Sequence, residues 1–170
     1  MDMRPPSPLP EGYLDFFQSL ESWQNEQTIK LRKTYVHTKE NLTARLNRHR
    51  KPLLSQINPH IDGDLLKDLL DSFLDFLDTA RPSVKDPIGQ LRSNFHQLNF
   101  DHLVKSFLAP KESELIAVAK QLAIPEDFWI FVLDHSLRPV LRLIAESYRE
   151  DLAAADFHWD FPTICPICGA

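Results

Sequence analysis

Between residues 62 and 81 the chain encodes one helix with little ambiguity, and that helix dictates the kind of fold around it. Leu65, Leu66, Leu69, Leu70, Phe73, Leu74 and Leu77 form a broad apolar stripe at helical spacing. Asp64, Asp68, Asp71, Asp75 and Asp78 recur at steps of 4, 3, 4 and 3 on the opposite side. Such an amphipathic helix must bury its stripe against other elements. Asp62 or Asp64 supplies the start, and Arg81-Pro82-Ser83 the end. Only four glycines in 170 residues argue against a turn-rich β partner, so the neighbours are expected to be helices.

The rest of the chain supports this. Residues 11–35 read as a helix with Leu14, Phe17, Leu20, Ile29 and Leu31 in partial periodicity and Trp23 continuing the face of Leu20. Thr38 is placed to cap a second helix through Leu42, Leu46 and the run Arg48-His49-Arg50-Lys51, with Pro52 as a break. Ile88, Leu91, Phe95 and Leu98 indicate a helix within 83–99, and Asp101 caps a short one that Pro110 stops. Residues 112–123 form a helix with Leu115, Ile116, Ala119 and Leu122 inward. Pro125-Glu126-Asp127 opens another, with proline early and acids in the first turn. Pro139 then requires either a kink or a new start before Val140, Leu141, Ile144 and Tyr148. The expectation is an all-α bundle of about six or seven helices. Residues 1–10, with four prolines, form a lead-in; 11–156 form the helical domain; 157–170 form a linker and metal knuckle.

The opening ten residues lack the apolar core of a secretory signal, and no run approaches 18 apolar residues, so no membrane segment is expected. A cytoplasmic protein is the expectation. The net charge of -5 excludes a generally basic nucleic-acid coat protein but permits a local basic patch. That patch is residues 30–51, where Lys30, Arg32, Lys33, Lys39, Arg45, Arg48, Arg50 and Lys51 face one acid, Glu40. Tyr35 and Trp23 are too few aromatics for a base-stacking platform, so a solvated or partner-facing basic helix is preferred to nucleic-acid binding.

Cys165-Pro166-Ile167-Cys168-Gly169 contains the only two cysteines. Proline stiffens the turn after the first thiolate, and glycine tolerates the positive φ that closes it. The pentapeptide is a knuckle of the rubredoxin and zinc-ribbon kind, suited to zinc at about 2.3 Å or to iron. A four-thiolate site needs two such pairs. The second pair is expected downstream in a longer protein, from a second copy in a homodimer, or in part from His158. This chain alone is therefore expected to bind metal weakly or only as a dimer. A thioredoxin-like redox pair is the alternative, but that motif belongs beside a βαβ unit.

Other clusters read more plainly. The aspartate stripe is a solvated face, since acids without a turn do not build a calcium loop. Phe128 to Leu133 is apolar all round and belongs in the middle of a bundle. Arg138 and Arg142, one turn apart, are placed to link their helix to nearby acids. No catalytic serine or cysteine signature and no acid/base carboxylate pair stands out.

Ile124-Pro125-Glu126-Asp127-Phe128-Trp129, then His135-Ser136-Leu137-Arg138-Pro139-Val140-Leu141, then a linker with Trp159 and the knuckle from Cys165 to Gly169 resemble one family in their order. It is the FdhE-type formate dehydrogenase accessory proteins. The resemblance covers 124–169 well and 50–165 loosely. It implies an α-helical domain followed by rubredoxin-like metal modules with further CxxC pairs, and a non-enzymatic role in maturing formate dehydrogenase in the cytoplasm. Its partner would be the dehydrogenase catalytic subunit. Of the family's metal ligands only Cys165 and Cys168 carry over, because the later CxxC pairs are absent here. The alternatives are a zinc-ribbon nucleic-acid regulator using residues 30–51 and a CxxC thiol oxidoreductase.

Overall fold

The structure, a computed structural model, describes residues 10–39, 57, 59–109 and 111–154. Among them the chain forms seven α-helices, two single 3₁₀ turns and no strand. The helices are α1 (Tyr13–Leu31), α2 (Gly63–Ala80), α3 (Lys85–Ser93), α4 (Phe100–Leu108), α5 (Glu112–Gln121), α6 (Glu126–Ser147) and α7 (Arg149–Ala154). The all-α architecture read from the sequence is therefore present. The helix expected between Thr38 and Lys51 falls largely on residues outside the described ones, as do most of the lead-in and the linker and knuckle.

The Leu/Asp segment behaves as its pattern requires. Asp62, in extended conformation, accepts a hydrogen bond from the Leu65 amide at 2.7 Å and caps α2. Leu66, Leu70, Phe73 and Leu74 are completely buried, and Leu69 and Leu77 nearly so. Each contributes roughly 1.5–3 kcal/mol of apolar burial. Asp64, Asp68, Asp71 and Asp75 are exposed on the far side. Arg92 of α3 reaches back to Asp71 and Asp75, tying α3 to this face.

Helix α6 is the centre of the bundle, packing on α1, α2 and α5. Its all-apolar segment explains why. Trp129, Val132, Leu133, Leu137, Val140 and Ile144 are all fully buried, and the Trp129 indole donates to the Leu115 carbonyl on α5 at 3.0 Å. Pro139 neither ends nor divides α6, which continues as one helix from Glu126 to Ser147.

Two local expectations are corrected. The buried face of α1 is Phe16, Leu20, Trp23, Gln24, Gln27 and Thr28, whereas Leu14 and Ile29 are about 60% exposed and Phe17 points outward at 38%. Phe16 and Trp23 instead join Phe73, Phe76 and Phe131 in an aromatic cluster, with Trp23–Phe73 centroids 4.8 Å apart. The second correction concerns Asp101, which does not cap α4. Asn99 does, accepting from the His102 amide at 3.0 Å. Asp101 accepts from the Gly63 amide at 2.8 Å, so the starts of α2 and α4 are locked together.

Helix α5 ends in a Schellman motif. The Ile124 amide donates to the Ala119 carbonyl and the Ala123 amide to the Lys120 carbonyl, both at 3.1 Å. The residue forced into the left-handed region is Ala123, with φ of 53°, where glycine is usual.

Candidate functional site

The expected ligands Cys165 and Cys168, together with His158 and Trp159, lie outside the described residues. Among those described, no group of three or more histidine, cysteine, aspartate or glutamate side chains is placed to hold a metal ion. The polar chemistry in the interior lies elsewhere, in the seam where α1 crosses α6.

The seam is built around Gln24. Arg142 offers only donors, and its Nη2 meets the Gln24 amide oxygen at 2.9 Å. That contact turns the Gln24 NH₂ group toward His135, whose Nδ1 lies 3.0 Å away. Since an amide nitrogen only donates, His135 Nδ1 must accept, and the imidazole proton sits on Nε2. Thr28, one turn beyond Gln24, donates to the Gln24 carbonyl at 2.8 Å and lies 3.5 Å from the Pro139 carbonyl. Asp134 accepts from Arg138 Nε at 2.9 Å and Nη2 at 2.7 Å, and its Oδ2 stands 4.0 Å from His135 Nε2.

The electrostatics agree with this tautomer. Burial pushes the His135 pKa down from 6.5 to about 4, the Arg138 charge adds to that depression, and Asp134 opposes it. The imidazole is therefore neutral near pH 7. A general base is most effective with a pKa near the working pH, and His135 is far from that condition. Packed at 4.3 Å against the Phe131 ring, it acts as a fixed acceptor that orients Gln24, and through Gln24 the Arg142 guanidinium.

Arg142 points from this seam into a cleft of about 640 Å³ between the C-terminal halves of α1 and α6. Its Nη1 also donates to Asn25 Oδ1 at 2.7 Å. The expected link from Arg142 to acids is thus replaced by two neutral amide oxygens, whereas Arg138 does find an acid, Asp134. Arg32 and Arg149 stand on the cleft rim, with Arg32 paired to Glu146 at 2.7 Å. Sequence reasoning singled out His135, Arg138 and Arg142 but missed Gln24, Asn25 and Thr28. The available signal was a polar Gln24-x-x-Gln27-Thr28 patch on the face that Leu20 and Trp23 begin.

The basic segment is only partly described. Arg32 pairs with Glu146, and Lys39 pairs with Asp151 at 2.7 Å while lying 5.9 Å from the Tyr148 ring centroid. His37 Nε2 sits 3.1 Å from the buried Tyr148 hydroxyl. Tyr35 donates to the His60 carbonyl at 3.0 Å. Burial, reinforced by the Asp62 charge, raises its hydroxyl pKa to about 12. Residues 32–39 thus lie against the C-terminal end of α6, the start of α7 and the approach to α2.

One further group holds a serine, a histidine and a carboxylate. Ser106 donates directly to Glu114 Oε2 at 2.5 Å, and His102 Nδ1 is 3.4 Å from the Ser106 oxygen. Hydrogen bonds from Lys111 and then Ser106 hold the Glu114 carboxyl below its ordinary range. In a nucleophilic triad the serine proton goes to histidine. Here it goes to the acid and Ser106 is buried, so the group ties α4 to the start of α5.

No family model, curated protein or solved structure matches the chain.

Proposed function

We propose that this chain is a non-enzymatic accessory factor for formate dehydrogenase maturation, with its helical domain meeting the enzyme's catalytic subunit. The order of motifs carries this reading: the Ile124–Trp129 and His135–Leu141 segments, the Trp159 linker, and the Cys165/Cys168 knuckle. Residues 126–141 of that signature belong to one continuous helix at the centre of the bundle where a pair was expected. Residues of such a signature would serve to build a platform, and the cleft beside Arg142 offers that platform a docking surface.

Cys165 and Cys168 are the residues that would hold zinc or iron. A bound ion would neutralise their thiolates and knit the knuckle together. In the nucleic-acid alternative, the basic segment would present its cations to phosphates; among the described ones Arg32 pairs with Glu146 and Lys39 with Asp151.

The test is capture of the formate dehydrogenase catalytic subunit on the immobilised chain, with an unrelated helical domain as reference. Enrichment over the reference is expected, and equal recovery refutes the reading. Cys165→Ser with Cys168→Ser should abolish zinc uptake, followed by a chromogenic chelator, and leave the far-UV circular dichroism unchanged.

A further inference from the structure

We propose that the cleft between the C-terminal halves of α1 and α6 docks an acidic segment of a protein partner, one in which carboxylates flank an apolar side chain. The proposal rests on the accessory-factor reading for the existence of a protein partner, and adds where that partner binds and by what chemistry.

Charge complementarity is the first argument. The chain carries a net charge of -5, yet this cleft gathers Arg32, Arg142 and Arg149 against one lining acid, Glu146, with Glu150 adjoining. It is a local reversal of sign on an acidic protein. Arg142 contributes most. Its guanidinium is held by Asn25 and Gln24 amide oxygens, which fix its direction without cancelling its charge. The His135–Gln24 contact holds that support in place from inside the bundle. Such pre-organisation lowers the ordering cost of binding, and a planar guanidinium recognises a carboxylate with two parallel hydrogen bonds.

The remaining chemistry fits the same occupant. The Arg32–Glu146 pair is exposed on both sides, with side chains 58% and 43% accessible. Exposed pairs of this kind contribute only about 0–1 kcal/mol, so an incoming carboxylate can compete for Arg32. Between the arginines lie Ile29, 58% exposed, and the half-buried Ala145. They give an apolar side chain of the partner a place to rest. Ile29 is on the solvent side of α1, where nothing in the bundle's own packing needs an isoleucine.

The test uses the full chain and a fluorescein-labelled Glu-Glu-Leu-Glu-Glu peptide, followed by fluorescence anisotropy at low salt, where charge contacts are screened least. The expected result is saturable binding that Arg149→Glu and Arg142→Gln each weaken about tenfold or more, equivalent to about 1.4 kcal/mol. Lys67→Glu, an equal charge reversal outside the cleft, should change it less than about twofold. Arg149→Glu is decisive because Arg149 takes no part in the seam and its loss leaves the packing alone. Absence of binding by the folded chain overturns the proposal. So does equal weakening by Lys67→Glu, which would mean diffuse attraction. Complete displacement by inorganic phosphate at matched ionic strength also overturns it, since the cleft would then be a small-anion site.

The dehydrogenase capture separates this proposal from the reading beneath it. Capture that survives Arg149→Glu removes the cleft as the docking surface and leaves the accessory role. Peptide binding with the expected variant pattern, but no capture, removes formate dehydrogenase as the partner and leaves the cleft.

Discussion

Acidification should loosen the α1–α6 seam through His135, and the size of the effect follows from its surroundings. The folded chain holds the imidazole at a pKa of about 4, against 6.5 for an ordinary histidine. Between those values the unfolded chain binds the proton and the folded chain does not, so stability falls as pH falls. The contribution is fully present above pH 6.5 and lost by about pH 4. A depression of this size corresponds to roughly 3 kcal/mol at 1.36 kcal/mol per unit, a large share of a typical domain's 5–15 kcal/mol. Protonation would also place an N–H on Nδ1 facing the Gln24 NH₂ at 3.0 Å, donor against donor. The reference is His135→Gln, whose amide oxygen can still accept from Gln24 but does not titrate. Urea unfolding at pH 7, 6, 5 and 4, monitored at 222 nm, gives the difference with the carboxylate titrations common to both proteins removed. The native protein should lose about 3 kcal/mol more than the variant across this range, and its ¹⁵N spectrum should show the Nε2–H tautomer at pH 7. Parallel stability curves, or an imidazole titrating near 6.5 in the folded protein, would refute the reasoning.

Four further outcomes follow from backbone and packing. Ala123→Gly should stabilise the chain by about 0.5–1 kcal/mol in urea unfolding, because Ala123 holds a left-handed φ of 53° that glycine adopts without strain. Gly63→Ala should cost about 1–3 kcal/mol, since its Cβ would meet the Asp101 amide nitrogen at 2.8 Å. Gly89→Ala, at an exposed position of α3 with nothing within 4 Å of the new Cβ, should instead gain about 0.5–1 kcal/mol, a contrast thermal melts of the pair will resolve. Trp129→Phe removes the indole donor to the Leu115 carbonyl, which keeps its helical partner within α5; the lost hydrogen bond and the smaller buried ring should together cost about 1–3 kcal/mol, and an unchanged urea midpoint would contradict the buried hydrogen bond.

What could be read from the sequence depended on how each helix earns its burial. Helix α2 was legible almost residue by residue, because its stripe is wholly apolar and its far face acidic. Helix α6 was legible as central, because no polar face interrupts Phe128 to Leu133. Pro139 left its continuity open, since proline within a helical pattern reads as a kink or a new start, and the new start is the reading that α6, continuous from Glu126 to Ser147, rules out. Asp101 was misassigned for a related reason. Aspartate is as good a cap as asparagine, and the preference for Asn99 arises because Gly63, 38 positions earlier, claims the Asp101 carboxylate. That is a tertiary contact without a local signal.

Helix α1 shows why the candidate site was harder to read than the fold. Periodicity weighs apolar residues, so it placed Leu14, Phe17 and Ile29 inward. The helix instead buries Gln24, Gln27 and Thr28, which count as surface on any hydropathy measure. Their burial is tolerable where polar atoms find partners, as those of Gln24 do in Arg142 and His135 and the Thr28 hydroxyl does in the Gln24 carbonyl. A seam of this kind trades apolar burial for register. Sliding α1 along α6 by a turn would leave a buried amide and imidazole unsatisfied, at about 1–3 kcal/mol for each orphaned group. A purely apolar interface would tolerate that slip far better. The same register displaces Ile29 from the core to the cleft rim and turns Arg142 outward beside it. Ile29, which periodicity misplaced, therefore owes its place in the proposed docking surface to the hydrogen bonds that position α1, whereas Phe16, Leu20, Trp23 and the half-buried Leu31 remain with the core.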